Sequence, residues 1–305
     1  MYDLIIVGGG PAGVAAGVYA GRKRIKALLV TDTFGGQSLV SNEVQNWIGT
    51  KSISGFDLGK NLEEHLREYS DVEIMDGAWV KSIIKEDKGF RLQVSDDKSV
   101  NTRTVLIATG SRHRKLEVPG EKELEGKGVA YCSTCDAPLF EGKVVAVIGG
   151  GNSGLEAVRD LIPYAKEIYL LIRSEKTKGD PVTFEKISGN PKVHIVTMAQ
   201  TKEILGTDHA RGLRYVDLET SMDKELLVEG VFVEIGTVPN SELVKGLAEI
   251  NPYGEIIVDH KTQRTSVPGI WAAGDVCDVL YKQNNISVGD AIKAALNIER
   301  YLHKE

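Results

Sequence analysis

At 305 residues the chain has room for about two domains of ordinary size, and with 42% apolar and 26% charged residues it can bury a substantial core. A formal charge of −6 gives no electrostatic footing for nucleic-acid binding, and three cysteines are too few for a disulfide-stapled secreted scaffold. No apolar run is long enough to span a bilayer, and Tyr2-Asp-Leu-Ile-Ile-Val7 reads as a core strand, not a leader, so the expected setting is the reducing cytoplasm, without membrane or nucleic-acid partners.

Leu4–Val7 is a short β-branched run of the kind found centrally in parallel sheets. The turn Val7-Gly-Gly-Gly-Pro-Ala-Gly13 follows, then a helical stretch from about Ala12 to Lys23 and a second strand over Lys26–Val30. This is a βαβ unit with its glycine turn where a pyrophosphate would sit. Strand-like pieces follow between 70 and 108, among them Phe90–Val94 and Thr104–Ala108, the latter closed by Thr109-Gly110. Polar, basic Ser111–Lys115 and then Val118-Pro-Gly120 mark a crossover into another domain. Val144–Ile148 starts a second βαβ unit, with a helix over Ser153–Ile162 and a strand over Glu167–Ile172. Short strands fill 190–235, and Gly236-Thr-Val-Pro-Asn240 reads as the second crossover. Gly269–Asp275 is a strand-to-loop element, and a last helix spans Val288–Leu302. The chain therefore starts one domain, visits another and returns. The expected class is α/β, with two Rossmann-like nucleotide-binding domains: a discontinuous one over 1–112 and 241–305, and a continuous one over 113–240. The likeness of 5–13 to 146–154 is a duplicated fold unit, not a short-period repeat.

Each glycine of the first cluster answers a physical need. Gly8 allows the tight turn, Gly10 lets the backbone approach a pyrophosphate, and Gly13 lets the helix pack close to the strand. The helix N-terminus then offers unpaired N–H groups to the anion. One such cluster is a weak signal; two, each behind a strand, are far more specific. Gly149, Gly151 and Gly154 repeat the logic, with Asn152 and Ser153 opening the helix. Asp32, slightly past the end of the second strand, suits a ribose hydroxyl or caps the turn before Phe34-Gly-Gly36. Gln37 and Asn46 suit a ring or a ribitol chain, or else local backbone. After the strand ending near Ile172, Arg173, Ser174 and Lys178 suit the 2′-phosphate of NADPH, where an acid would favour NADH. Glu175 dilutes that signal, and a solvated loop of mixed charge is the competing reading. Arg112–Lys115 reads as solvated linker, Cys277 as a packed thiol and Trp271 as core.

Cys132-Ser-Thr-Cys135-Asp136 admits three readings: two buried small side chains, half of a zinc site, or a redox disulfide. A structural zinc needs about four ligands. The sequence offers no second Cys pair, and His65, His113, His194, His209, His260 and His303 are singly placed. The redox disulfide is the favoured reading. Asp136 is then placed to carry protons between thiolate and solvent, with a cap or turn role before Pro138 as the alternative. Cys135 precedes Gly149 by 149 − 135 = 14 residues, which puts the dithiol in the second domain. Nicotinamide and dithiol would compete for one flavin, and movement about the crossovers near 111–118 and 236–240 would resolve the conflict.

Gly8–Gly13, Gly35-Gly-Gln37, Asn46-Trp47, Ala108-Thr-Gly110, Cys132–Asp136, Gly149–Gly154, and Gly274-Asp275 with Tyr281-Lys-Gln283 occur in this order. Through them the whole chain resembles the low-molecular-weight thioredoxin reductases. It is also similar to the reductase portion of the alkyl hydroperoxide reductase flavoproteins. The resemblance implies FAD on the first domain, NADPH or NADH on the second, a homodimer, and thioredoxin-disulfide reductase activity. It makes Cys132 the thiol that attacks the acceptor's disulfide, Cys135 the flavin-facing thiol and Asp136 the acid/base. Asp275 would hold the ribitol or pyrophosphate region, with Gly110, Lys282 and Gln283 also at the cofactor. The family's NADPH loop carries His-Arg-Arg and a further Arg four positions on; Ile172-Arg173-Ser174 and Lys178 stand there instead. Asn284-Asn285 and Asp290-Ala291 replace the usual apolar and glycine residues near the flavin. A flavin disulfide reductase fed by NADH or reduced ferredoxin is the alternative, as is a redox-sensing flavoprotein with little turnover. The paired cysteines beside Asp136 argue against the last. The peroxiredoxin-reducing relatives carry an extra dithiol domain not seen in this sequence, so a separate thioredoxin-like protein is the expected acceptor.

Overall fold

A computed structural model describes residues 1–41, 43–95 and 98–303. Its first elements are β1 (Tyr2–Gly9), α1 (Pro11–Arg22), β2 (Ala27–Phe34), α2 (Gly55–Arg67), β3 (Val72–Asp76), β4 (Val80–Glu86), β5 (Gly89–Val94), β6 (Ser99–Ile107) and β7 (Ser111–His113). Then come β8 (Val129–Ala130), α3 (Ser133–Asp136), β9 (Val144–Ile148), α4 (Asn152–Leu161), β10 (Glu167–Leu171), α5 (Pro181–Ser188) and β11 (Val193–Val196). The remainder is β12 (Ala199–Gly206), β13 (Ala210–Asp217), β14 (Met222–Leu226), β15 (Gly230–Val233), β16 (Thr237–Pro239), β17 (Ile270–Ala272) and α6 (Asn284–Leu302). The chain divides into two compact units, Met1–Arg112 with Val238–Glu305, and His113–Thr237. Both are α/β, built on parallel sheets of the Rossmann type.

The first unit centres on β1, which pairs in parallel with β2 on one side and β6 on the other. The strand order is β3-β2-β1-β6-β5-β4, and β17 also pairs with β6. Leu4 and Ile6 enter one core with residues of α1 and α6, while Ile5 and Val7 enter a second core with Leu92, Val105 and Ile270. A strand buried on both faces needs a continuous apolar run, which is what Leu4–Val7 supplies. Small residues let α1 lie tightly on α2: a Cβ on Gly17 would come within 2.6 Å of Leu66 Cδ1.

Two boundaries differ from the sequence expectation, and both bear on the site. Strand β2 runs on to Phe34, past Val30, so Asp32 lies on the strand itself and not after it. Helix α6 starts at Asn284, ahead of Val288, behind an extended Gln283. Its opening side chains are polar because they tie down distant loops. Asn284 Nδ2 donates to Ser38 Oγ (2.9 Å), and Asn285 Nδ2 donates to the Asn46 carbonyl (2.7 Å). Polar side chains used in this way look like loop in a linear sequence.

The second unit carries an all-parallel sheet in the order β11-β10-β9-β15-β8. Val145 and Val147 of β9 pack with Leu155 and Val158 of α4, whereas Ala146 and Ile148 pack with Leu213 of the antiparallel β12-β13-β14 sheet. Strand β10 ends at Leu171, so Arg173 lies beyond it. The two stretches in which the chain passes between units, β7 and β16, pair with each other. The second crossing falls between Thr237 and Val238, ahead of the expected boundary after Asn240. Asn240 is held in the first unit by reciprocal bonds: its Nδ2 donates to the Thr109 carbonyl (2.8 Å), and Thr109 Oγ1 donates to the Asn240 carbonyl (2.7 Å). Among the described residues no helix is long and apolar enough to cross a membrane.

Candidate functional site

Within the first unit, the loops at the strand ends enclose a cleft of about 550 Å3, in the range of small-ligand sites. Gly8, Gly10, Asp32, Gln37, Gly110, Gly274 and Asp275 all line it. Gly8 has φ +116°, and a Cβ there would overlap the Ala108 carbonyl; a Cβ on Gly13 would overlap the Gly8 carbonyl. Turn and helix are thus pressed against each other with no room for side chains. Gly10 differs: its Cβ would find nothing nearer than Gly36 Cα at 3.8 Å, so it would fill cleft instead of striking protein. Helix α1 opens at Gly10 without a side-chain cap, leaving its first N–H groups for a ligand. This cradle fits the pyrophosphate of a dinucleotide such as FAD.

Asp32 is exposed to the cleft and makes no hydrogen bond or ion pair among the described residues, so it caps no turn. Gln37 Nε2 donates to Ser111 Oγ (3.2 Å). Asp275 accepts from Ser287 Oγ (3.2 Å), and burial holds its carboxyl above the usual range against the pull of Lys282 and Ser287. Asn46 and Gln283 meet each other, Asn46 Nδ2 donating to Gln283 Oε1 (3.1 Å), and neither lines the cleft. The Lys282 ammonium is spent on the loop that carries Asp275: it donates to the carbonyls of Cys277 (2.5 Å) and Asp275 (3.2 Å) and pairs with Glu255 (2.8 Å). Cys277 is fully buried, and burial pushes its thiol well up. Trp271 is core at 1% exposure.

The second unit repeats the turn. Gly149 has φ +141°, and a Cβ there would overlap the Glu234 carbonyl; a Cβ on Gly154 would overlap the Gly149 carbonyl; a Cβ on Gly151 would meet nothing within 4 Å. Helix α4 opens at Gly151 with no side-chain cap and with Asn152 and Ser153 exposed. The loop after β10 folds back onto this turn. The Gly150 carbonyl accepts from Thr177 Oγ1 (2.6 Å), Lys178 N (2.7 Å) and Gly179 N (3.1 Å). Asn152 Oδ1 accepts from Asp180 N (2.7 Å), and Ser174 Oγ donates to the Lys176 carbonyl (2.7 Å). Both groups are therefore engaged within the loop. The exposed side chains of Arg173 and Lys178 have no hydrogen-bond or ion-pair partner among the described residues.

Cys132 and Cys135 are joined in a disulfide across the first turn of α3, with their Cα atoms 5.3 Å apart. Burial lifts the Asp136 carboxyl from 3.8 to about 6. Two further acids stand against α3. Ser133 N, between the two half-cystines, donates to Glu234 Oε1 (3.3 Å), and Ser133 Oγ donates to Asp160 Oδ2 (3.1 Å). Burial, with Asp160, Asp136 and Glu156 nearby, raises Glu234 to about 8 against the opposing Ser133 bond. The sequence reading missed Glu234, Asp160 and the cleft-lining Trp79. Glu234 follows the apolar run Val231-Phe-Val233, and an acid at the end of a buried strand is the one signal that could have exposed it.

Residues 2–295 match the pyridine nucleotide-disulphide oxidoreductase family. The chain is 46% identical over 301 residues to an NADH dehydrogenase of Bacillus subtilis, covering 99% of this chain and 58% of that protein. It is 45% identical over 298 residues to an alkyl hydroperoxide reductase component of Pseudomonas putida, covering 97% and 57% respectively. The chain thus spans little more than half the length of these curated relatives. Among solved structures it is similar to a thioredoxin reductase from Streptococcus pyogenes (TM-score 0.94, 32% identity, 100% and 99% of the two chains covered). It is likewise similar to a thioredoxin reductase from Giardia duodenalis (TM-score 0.91, 30% identity, 99% of each chain).

Proposed function

The chain belongs to the pyridine nucleotide-disulphide oxidoreductase family, and from that premise we propose that it is a thioredoxin-disulfide reductase. In this reading NADPH or NADH reduces the Cys132–Cys135 disulfide by way of FAD, and the resulting dithiol reduces a thioredoxin-like protein. The observation that carries it is the disulfide itself, closed beside a desolvated carboxyl in a unit that also holds a nucleotide-type glycine turn. The full-length match to two thioredoxin reductase structures supports the choice of acceptor.

Gly8, Gly10, Gly13, Asp32, Gln37, Gly110 and Asp275 would hold FAD in the first unit. Held there, FAD would supply a two-electron carrier between a reduced nucleotide and the disulfide. Gly149, Gly151, Gly154 and the opening of α4 would hold the nucleotide, with Arg173 and Lys178 available to a 2′-phosphate. The cysteines and Asp136 do the remaining work. Once the disulfide is open, the Cys132 thiolate attacks one sulfur of the acceptor's disulfide, and the other acceptor sulfur leaves as a thiolate that takes a proton. Cys135 then attacks Cys132 Sγ, which releases the acceptor as a dithiol and closes the Cys132–Cys135 bond. Asp136, lifted to about 6, can both give and take a proton near neutral pH. The protein acts as a homodimer in this reading.

A second reading rests on a specific observation. The NADH dehydrogenase and alkyl hydroperoxide reductase relatives are more identical to this chain than the thioredoxin reductases are, at 46% and 45% against 32% and 30%. In that reading the donor is NADH and the acceptor is a disulfide other than that of thioredoxin. Anaerobic reduction of the purified yellow protein by NADPH, NADH and reduced ferredoxin, followed in the visible spectrum, identifies the donor. Turnover with a thioredoxin-like protein and with a peroxiredoxin-type dithiol domain then separates the two. Failure to bind FAD would overturn both; turnover with the peroxiredoxin-type domain alone would overturn the first.

A further inference from the structure

Glu234 joins the two chemical elements of the second unit. Its backbone seals the nucleotide turn: Glu234 N donates to the Ile148 carbonyl (2.9 Å), and its own carbonyl fills the space where Gly149 can carry no Cβ. Its side chain reaches the turn that carries the dithiol and accepts from the one amide that follows Cys132 directly, that of Ser133 (3.3 Å). We propose that Glu234 is a positioning and proton-holding residue of the dithiol, gripping the Ser133 amide between the two sulfurs and exchanging its proton against the charge that develops on them. This rests on the reading of Cys132–Cys135 as a redox pair.

The charge balance of the step shows the need. Opening the disulfide to two thiols takes two electrons and two protons. A hydride from a reduced pyridine nucleotide supplies both electrons and one proton, so a second proton has to come from solvent or from an acid near the pair. Asp136 is one holder. Glu234 is another with a different range, because burial and its neighbours lift it to about 8 while Asp136 stands at about 6. Two carboxyls held apart in this way can hold one proton and release another at the same pH. The groups acting on Glu234 are the Ser133 amide and Asp136 on α3, and Glu156 and Asp160 on α4; Arg159 meets Asp160 Oδ1 at 3.2 Å. The charged groups acting on Glu234 are all acids, so its ionisation adds negative charge at the residue that follows Cys132 and opposes thiolate formation there.

The test uses the full chain reduced with a phosphine, so that neither nucleotide, flavin nor acceptor is needed. Alkylation of Cys132 by iodoacetamide is followed against pH by mass spectrometry in the wild type and in Glu234→Gln, which keeps an acceptor for the Ser133 amide. At pH 6.5 Glu234 carries its proton and is neutral like Gln, so the two rates should agree. At pH 9 it is charged, and the variant should react about three- to tenfold faster, as expected for removal of one nearby like charge. Glu234→Asp should restore the wild-type pH dependence. Superimposable profiles of wild type and Glu234→Gln would overturn the proposal. If the variant does not fold, infrared difference spectra of the wild type between disulfide and dithiol forms decide. A protonated-carboxyl C=O band that changes on reduction, and survives in Asp136→Asn, supports the assignment; its absence refutes it. Neither outcome depends on the donor or acceptor, so failure of this proposal is distinguishable from failure of the reductase reading.

Discussion

Asp136→Asn should make the protein more stable and less active, with a pH dependence that identifies the cause. The Asp136 carboxyl makes no hydrogen bond among the described residues, so the amide breaks none. What it removes is a desolvated charge. With the folded value raised to about 6 from 3.8, the folded state binds the proton more tightly than the unfolded chain. The favourable contribution is then fully present below pH 3.8 and is lost as pH rises through about 6. The wild type is therefore penalised by about 3 kcal/mol at pH 7.5 and by about half that at pH 5, whereas the variant feels no such penalty. With two units present, a single melting curve is a blunt instrument. Hydrogen exchange of peptides from β9 and α4 in the oxidised protein reads the second unit directly. Protection should rise in Asp136→Asn, by more at pH 7.5 than at pH 5. Disulfide reductase turnover of the same variant should fall by about 10²–10⁴-fold. A variant that is less stable at both pH values, or stabilised equally at both, would refute the assignment of burial as the cause.

Four other outcomes are expected. Cys135→Ser should lose disulfide reductase turnover yet keep flavin reduction by its donor, read in the visible spectrum under anaerobic conditions. Arg173→Ala should raise KM for NADPH about ten- to a hundredfold and leave KM for NADH nearly unchanged, because only the 2′-phosphate loses a charged hydrogen bond; equal effects on both nucleotides would remove Arg173 from the phosphate site. Gly8→Ala should destabilise the apoprotein strongly, since the backbone there cannot take a Cβ, whereas Gly10→Ala should lose about 1 kcal/mol or less in thermal stability and show its defect in FAD retention. Trp79 is 55% exposed and lines the cleft with Asp32; if an adenine stacks on it, Trp79→Ala should weaken FAD binding about tenfold by fluorescence titration while leaving FMN binding unchanged.

The elements most legible in the sequence are those whose cause is local. Gly8 and Gly149 are readable because a turn that presses a strand end against a helix start forbids a Cβ at a fixed spacing. Cys132 and Cys135 are readable because a sulfur-to-sulfur bond across one helical turn fixes a separation of three residues. Strand β1 is readable because burial on both faces demands an unbroken apolar run. The start of α6 was not readable: Asn284 and Asn285 are polar in order to bind Ser38 and Asn46, some 240 residues away, and no local pattern carries that.

What the sequence determined by itself was the chemistry on offer: two glycine turns, a dithiol and an adjacent acid, each specified by neighbours within a few positions. Only the tertiary structure decided how those groups are tuned. Sheet order sets β15 beside β8, the strand that leads into α3, and so brings Glu234 to Ser133 across 101 residues of chain. The fold buries Asp136 and Glu234 alike but surrounds Glu234 with further acids, which sets their proton affinities apart. It also withdraws Lys282 and Ser174 into loop bonds while leaving Arg173 and Lys178 exposed without partners among the described residues. Residue type fixes which group can hold a proton or meet a phosphate; desolvation and the company of other charges fix at what pH and whether it does, and those are properties of packing.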